Sequence, residues 1–278
     1  MKVVVVFDST IDIPLGYEFA LPYQILPLKV YVDDKEFKDK IDITDEQFYS
    51  QALSGKKVGT ALPNPSETAQ LLKKLSKEYD HIYIVTISSR LSGTWNMIRL
   101  TLEQLDIKNA TLIDSKSGSV KSFYVVHRLI KDILDGKSIT EQKAQEYVTD
   151  SLLMFTVTTL DYLQRGGRIG KAKALLGKIL GIKPILSTGN DDGQVLSLGS
   201  ARSIRQVIEQ MVKKAKDFLK TQEYLVIGGY GVQHMRQYLD ELLSHFPKDK
   251  ILGISRIGPG VSAHVGPEVF GFAVGKTS

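Results

Sequence analysis

Short apolar runs alternate with amphipathic stretches along nearly all of the 278-residue chain. Val3–Phe7 is a continuous apolar run, and Ile25–Val32, Ile82–Ile87 and Ala110–Ile113 are mainly apolar, all of strand length and in the pattern of strands covered on both faces. Between them, Leu71, Leu72 and Leu75, then Ile98, Leu102 and Leu105, then Phe123, His127, Ile130 and Leu134 recur at helical spacing. Two helix starts are written in the residues themselves. Thr44-Asp45-Glu46-Gln47 has the form of a capping box, opening a short helix that closes at Gly55. Asn64-Pro65-Ser66-Glu67 offers a cap residue, a proline at the first helical position and an acid in the first turn.

A second series starts near residue 154. Phe155–Leu160, Ile182–Ser187, Val195–Leu198, Tyr224–Ile227, Ile251–Ser255 and Phe270–Val274 read as strands, with Gly189–Gly193 as a hairpin turn. Ile204, Val207, Ile208, Met211, Val212, Ala215 and Phe218 form the clearest helical stripe in the chain. The alternation predicts an α/β protein: two α/β domains with mainly parallel sheets, residues 1–155 and 156–278.

Composition narrows the class. Hydrophobic residues make up 42% and charged residues 24%, a balance that excludes disorder and low-complexity architecture. The absence of cysteine excludes disulfides, thiolate metal sites and a cysteine nucleophile. No apolar run approaches the ~18–20 residues of a membrane span. The first run leads straight into Asp8 and Asp12 with no cleavage signal, so a cytoplasmic location and no stable membrane insertion are expected.

Charge is uneven. Residues 1–150 carry 19 Lys and Arg against 21 Asp and Glu, whereas residues 151–278 carry 17 against 10. Between Tyr162 and Asn190 no acid occurs, yet Arg165, Arg168, Lys171, Lys173, Lys178 and Lys183 all fall there. A basic half invites an anionic partner, and it is equally the pattern of a solvated basic surface.

Four segments put small polar residues where ligands bind in α/β sheets, just beyond strand ends. They are Gly59–Ser66, Ser88–Thr94, Leu160–Gly170 and Ile257–Pro267. Ser92-Gly93-Thr94 joins two hydroxyls to the free N–H groups of a helix start, which suits a carboxylate or phosphate; capping alone would also explain it. Gly166-Gly167 between Arg165 and Arg168 could cradle an anion or form a surface turn. The fourth segment holds His264 in a glycine-rich loop. Gly260-Val261-Ser262-Ala263-His264 misses the G-x-S-x-G hydrolase elbow, and neither a Walker loop nor a G-x-G-x-x-G follows the first strand. No pair of histidines has metal spacing.

Taken in order, Phe7-Asp8-Ser9-Thr10, Thr60–Pro65, Ser89–Thr94, Tyr162–Gly170, Ile182–Ile185, Arg202 and His264–Pro267 resemble the DegV family, the lipid-carrying subunits of bacterial fatty acid kinase. The resemblance implies two α/β domains with a long-chain fatty acid in the slot between them. It implies a carboxylate held by hydroxyls at Thr60 and Ser92, with Gly93 and Thr94 in the same turn. It further implies that Arg202 and His264, and less directly Arg168, lie near the carboxylate mouth or the kinase contact. On this resemblance the chain is not itself a catalyst and needs no cofactor. A separate ATP-dependent kinase subunit phosphorylates the bound acid to an acyl phosphate for phospholipid synthesis. One departure stands out. The family usually reads Thr-Ser-Gln-Pro-Ser, where this chain has Ala61, Leu62 and Asn64, so Ala61 removes a hydroxyl beside Thr60. The competing readings are a free-standing hydrolase, which lacks a nucleophile–base pair, and a nucleic-acid-binding regulator using the basic 165–183 stretch. That stretch has no aromatic platform after Tyr162, and no nucleic acid partner is expected.

Overall fold

The first apolar run is the middle of a four-stranded parallel sheet. In the computed structural model, which describes residues 1–177 and 181–277, β1 (Val3–Asp8) is buried at every position. Sequence-adjacent β2 (Tyr23–Leu26) pairs on one side, and β6 (His81–Thr86), then β7 (Ala110–Asp114), on the other. Lys178, counted above in the basic stretch, lies outside the described residues.

The run expected as one strand over Ile25–Val32 is two. Proline has no N–H to give a ladder, and the chain breaks at Pro27 into β2 and β3 (Lys29–Val32), which belong to different sheets. β3 is the centre of a three-stranded antiparallel sheet between β4 (Lys35–Lys38) and β5 (Val58–Ala61). α1 (Asp45–Leu53) follows β4 and starts at Thr44 with the predicted reciprocal capping box to Gln47. α2 (Pro65–Glu78) starts at Asn64, whose Oδ1 accepts from the N–H groups of Ser66 and Glu67.

α3 (Thr94–Gln104) follows β6, and α4 (Ser119–Leu134) follows β7. α4 is buried nearly all round, from Ser119 through Asp132, the mark of a central helix. It packs on β6 on one side and, on the other, on β8 (Ser151–Val157), β11 (Tyr224–Tyr230) and β13 (Val269–Lys276). α4 therefore stands between the two main sheets. α5 (Glu141–Thr149), capped by Thr140, was not legible in the periodicity.

The second sheet has the order β10-β9-β8-β13-β11-β12, with β9 (Lys183–Thr188), β10 (Val195–Ala201) and β12 (Ile251–Arg256). The α/β class holds for both halves, but parallel pairing does not dominate here: among the described residues of this sheet only β11 and β12 run parallel. The reason is topological. The Gly189–Gly193 turn makes β9 and β10 a hairpin, and the last strand inserts between β8 and β11, antiparallel to both. β8 begins at Ser151 rather than Phe155, so a division after residue 155 would cut a strand. α6 (Asp161–Arg165) and a 3-10 turn at Gly170–Leu175 lie between β8 and β9. α7 (Ile204–Leu219), α8 (Arg236–Leu243) and α9 (Pro259–Val265) complete the fold. The predicted stripe of α7 is its buried face at Val207, Ile208, Met211, Val212 and Ala215, while Ile204 and Phe218 are half-buried.

Two consequences position the site. A single core crosses from Val5 and Phe7 through Phe123 and Leu129 to Phe155 and Ala273, so the halves share their interior. Residues of the small sheet and α1, including Val30, Val32, Phe48 and Tyr49, pack into the core of Met211, Phe270 and Phe272. The segment around β5 is therefore carried onto the second half, beside α9.

Candidate functional site

A slot opens between the halves. Its walls are the apolar side chains of Ile87, Leu153, Phe155, Leu163, Val195 and Val265, with Arg168 and His264 as its ionisable residues. The empty space along it, open solvent at the mouth included, is about 720 Å³.

His264 sits in α9, seven residues long, whose entry is fixed from three directions. Asp12 Oδ1 accepts from the Gly258 N–H at 2.9 Å and from Lys40 Nζ at 3.0 Å, and its Oδ2 accepts from Ser119 Oγ at 2.7 Å. Tyr49 Oη donates to the Ile257 carbonyl and is 2.6 Å from Ser262 Oγ. Gly260 passes so close to Asp39 that a Cβ there would stand 2.6 Å from Oδ2. Ser262 is fully buried in these contacts, which removes it as a hydrolase nucleophile.

Thr60 and His264 meet: Thr60 Oγ1 is 2.7 Å from His264 Nε2. β5 places Thr60, because its partner in β3 is Val30, buried in the second core. On the other side of the ring, Nδ1 is shielded from solvent and has no partner among the described residues. A Cβ on Gly166 would lie 2.5 Å from that nitrogen, so the glycine is needed for close approach. Burial, and then the nearby Arg168 guanidinium, hold the imidazole at about 4, so it is neutral at pH 7. A neutral imidazole and a hydroxyl have two donor protons between them. One is used in their mutual bond, and the other is free for an anion.

Arg168 is fixed by its own loop: Nε donates to the Leu91 carbonyl at 3.0 Å and Nη1 to the Gly166 carbonyl. This ties the Gly166–Arg168 turn to the Leu91–Thr94 turn. There, Ser92 Oγ and Thr94 Oγ1 are 2.9 Å apart, and the Thr94 N–H donates to Ser92 Oγ at 3.3 Å. The helix cap itself is Gly93, without a side-chain bond, so Ser92 is only a weak cap. A Cβ on Gly93 would meet Leu62 Cδ2 at 3.4 Å, which brings this turn against the Thr60–Asn64 loop.

Of the residues the sequence singled out, Thr60, His264 and Arg168 come together at the slot. Ser92, Gly93 and Thr94 adjoin it through Leu91, a wall residue. Arg202 does not join them. It is exposed between β10 and α7, and its N–H donates to Gln206 Oε1. Leu62 touches the Gly93 turn and Asn64 caps α2, so two of the three departures have structural work here. Within the basic stretch, Arg168 is turned into the loops, Lys171 pairs with Asp192 at 2.6 Å, and Arg165 lies over the Tyr162 ring. Sequence reasoning missed the wall residues, which read as ordinary core, and the Asp12–Lys40–Ser119 junction. Among the described residues no group of three or more His, Asp or Glu could hold a metal, and no helix is long and apolar enough to cross a membrane.

The site is a mainly apolar slot with an imidazole, a guanidinium and hydroxyl donors gathered at one place. The family model described as "Uncharacterised protein, DegV family" matches residues 2–277, and the chain belongs to that family. It is 31% identical over 282 residues to the DegV domain-containing protein SA1258 of Staphylococcus aureus, covering 99% of each chain. Among solved structures it is similar to a fatty-acid-binding DegV family protein of Thermus thermophilus, with 27% identity, TM-score 0.90 and 100% of both chains covered. It is also similar to a stearic-acid-binding protein of Eubacterium ventriosum, with 26% identity, TM-score 0.84, and 98% and 97% covered.

Proposed function

We infer that this chain binds a long-chain fatty acid with its tail in the slot between its two halves. The carboxylate is held by the hydroxyls of Thr60 and Ser92, with Gly93 and Thr94 shaping the turn and His264 and Arg168 beside it. The observation that carries the reading is the Thr60–His264 pair at 2.7 Å, set at a mainly apolar slot. Each pair, the hydroxyl and imidazole of Thr60 and His264 and the two hydroxyls of Ser92 and Thr94, spends one proton internally and has one to donate. A carboxylate accepts both, and charge-assisted bonds of this kind are about twice as strong as neutral ones.

The chain acts as a cytoplasmic carrier rather than a catalyst. It presents the acid to a separate ATP-dependent kinase subunit, which forms the acyl phosphate, and exposed Arg202 is the contact offered to that partner. The fatty-acid relatives support the lipid half of this reading; the kinase half rests on the family resemblance. The test is titration of delipidated protein with oleate and palmitate by calorimetry, followed by addition of kinase and ATP with trapping of acyl phosphate by hydroxylamine. Uptake of acid and a trapped hydroxamate are expected. No uptake overturns the lipid reading, and uptake without product overturns the kinase step.

A further inference from the structure

The turn after β1 runs Asp8-Ser9-Thr10-Ile11-Asp12. Both of its carboxylates are buried, and neither is among the slot's wall residues. β1 pairs in parallel with β6, Phe7 beside Val85, which sets Asp8 next to the loop that leaves β6. Asp8 Oδ2 accepts from the Ile87 N–H at 2.7 Å, and its Oδ1 accepts from the N–H and the hydroxyl of Thr10. From Ile87 the chain enters Ser88, whose carbonyl accepts from the Ser92 N–H at 3.0 Å. The Ser92–Thr94 pair is thereby tied to Asp8.

Asp12 holds the other pair. Its Oδ1 accepts from the N–H of Gly258, the cap of α9, and its Oδ2 from Ser119 Oγ in the first turn of α4. Its carbonyl accepts from Ser255 Oγ in β12 at 3.0 Å. Lys40 Nζ lies 3.0 Å from both Asp12 Oδ1 and the Ile11 carbonyl, so the buried carboxylate has a cation beside it. A Cβ on Gly258 would stand 2.7 Å from Lys40 Cε, and glycine there lets cap, carboxylate and amine meet. His264 comes six residues after Gly258, under two helical turns. The place of the cap therefore sets the place of the ring against Thr60.

We propose that the Asp8–Asp12 turn positions the two donor pairs relative to each other: Asp12 sets His264 against Thr60, and Asp8 sets the loop of Ser92. Both are positioning residues that act through the groups they hold and do not touch the acid. What the pairs bind rests on the fatty-acid reading. A carboxylate that accepts one bond from each pair needs the pairs at a fixed spacing, and a short turn gripping both loops supplies it.

Crossed double-mutant cycles on oleate affinity, measured by calorimetry on delipidated protein, test the assignment. Asp12→Ala is expected to weaken oleate about tenfold in the wild-type chain and less than about twofold in His264→Asn, where the group it places is already gone. In Ser92→Ala the tenfold loss should persist. Asp8→Asn puts an amide donor against N–H groups that Asp8 accepts, and should show the mirror pattern: its loss vanishes in Ser92→Ala and persists in His264→Asn. Asp12→Asn keeps an acceptor for Gly258 and can donate to Ser119 Oγ, so it should recover most of what Asp12→Ala loses. A second readout needs no lipid. NMR titration of His264 in lipid-free Asp12→Ala should show its pKa rising from about 4 toward 6.5 as the ring loses its burial. Loss of the Asp12 charge alone would move it the other way. Equal losses of affinity in every background, or unchanged affinity and an unchanged His264 titration in folded Asp12→Ala, overturns the proposal. If the wild type takes up no oleate, the fatty-acid reading falls, and the His264 titration still decides what Asp12 does. If Asp12→Ala or Asp8→Asn does not fold, Ser119→Ala or Thr10→Val takes its place in the cycle. Each removes one bond from the same carboxylate, with an expected loss of about threefold.

Discussion

Thr60 and His264 stand 204 positions apart and share one hydrogen bond, Oγ1 to Nε2 at 2.7 Å. With Nδ1 already unpartnered, removing the Thr60 hydroxyl strips the imidazole of its remaining protein partner. Thr60→Val should therefore lower stability by ~1–3 kcal/mol and weaken oleate binding by roughly tenfold or more. Thr60→Ser keeps the hydroxyl and should bind almost as wild type. Thermal unfolding and calorimetry on the pair check this, and equal oleate affinity in Thr60→Val would remove Thr60 from the head-group site.

Ser92 separates a ligand role from a capping role. Its Oγ accepts the Thr94 N–H at only 3.3 Å, and the cap position belongs to Gly93. Ser92→Ala should cost less than ~1 kcal/mol of stability, since a weak cap contributes at the low end of its range. Its effect on oleate affinity should be larger, ~1.5–3 kcal/mol for a lost bond to a charged group. A drop in melting temperature with unchanged affinity would return Ser92 to a capping role.

Two groups near α9 give opposite pH dependences. Burial raises Asp39 from an ordinary 3.8 to about 6, and its Oδ1 has no partner among the described residues. The native chain keeps a proton that the unfolded chain releases, so this contribution to stability falls as pH rises from 3.8 to 6. Burial lowers His264 from 6.5 to about 4, so its contribution is present above 6.5 and is lost as pH falls to 4. Asp39→Asn should be more stable than wild type at pH 7, by up to ~3 kcal/mol at ~1.4 kcal/mol per pH unit, with the advantage gone near pH 4. His264→Asn should show the reverse trend, gaining on wild type as pH falls. Melting temperatures of the three proteins from pH 4 to pH 7.5 test both signs.

Lys121 is fully buried in the first turn of α4, with Asn190 Oδ1 as its partner at 2.5 Å. Burial lowers its amine from 10.5 to about 7. The unfolded chain binds the proton more readily between those values, so the lysine destabilises the fold increasingly as pH falls from 10.5 to 7. Lys121→Met keeps most of the apolar stem and removes the ionisable end. It should raise the melting temperature by several degrees at pH 7, at ~2–4 °C per kcal/mol, and by less at pH 10. A lower melting temperature at pH 7 would show that the Lys121–Asn190 bond outweighs the desolvation of the amine.

Local signals carried much of the fold into the sequence. The Thr44–Gln47 capping box, the Asn64 cap, β1 and the α7 stripe each depend on neighbours within a turn or two, and each is where the pattern places it. Pairings set by distant chain were not legible. Pro27 splits a run that reads as one strand, and β13 reaches its place between β8 and β11 only because the chain end returns to the sheet. The motif residues Thr60, Arg168 and His264 could be picked out singly, but their meeting depends on β5 being packed against the second core. The slot walls escaped notice because Leu153, Phe155 and Val265 have the composition of any interior. Lys121 was hidden for a related reason: a basic residue on a helix ordinarily faces water, and only α4 lying between two sheets buries it.

Mass spectrometry of a solvent extract shows whether this chain carries a fatty acid in the slot between its halves. The protein is purified without added lipid, quantified, extracted, and the acids counted against protein chains. About one long-chain fatty acid per wild-type chain is expected, and substantially less from Thr60→Val. An extract without fatty acid, from protein that also takes up no oleate or palmitate when delipidated and titrated, would rule out a fatty acid as the ligand of the slot.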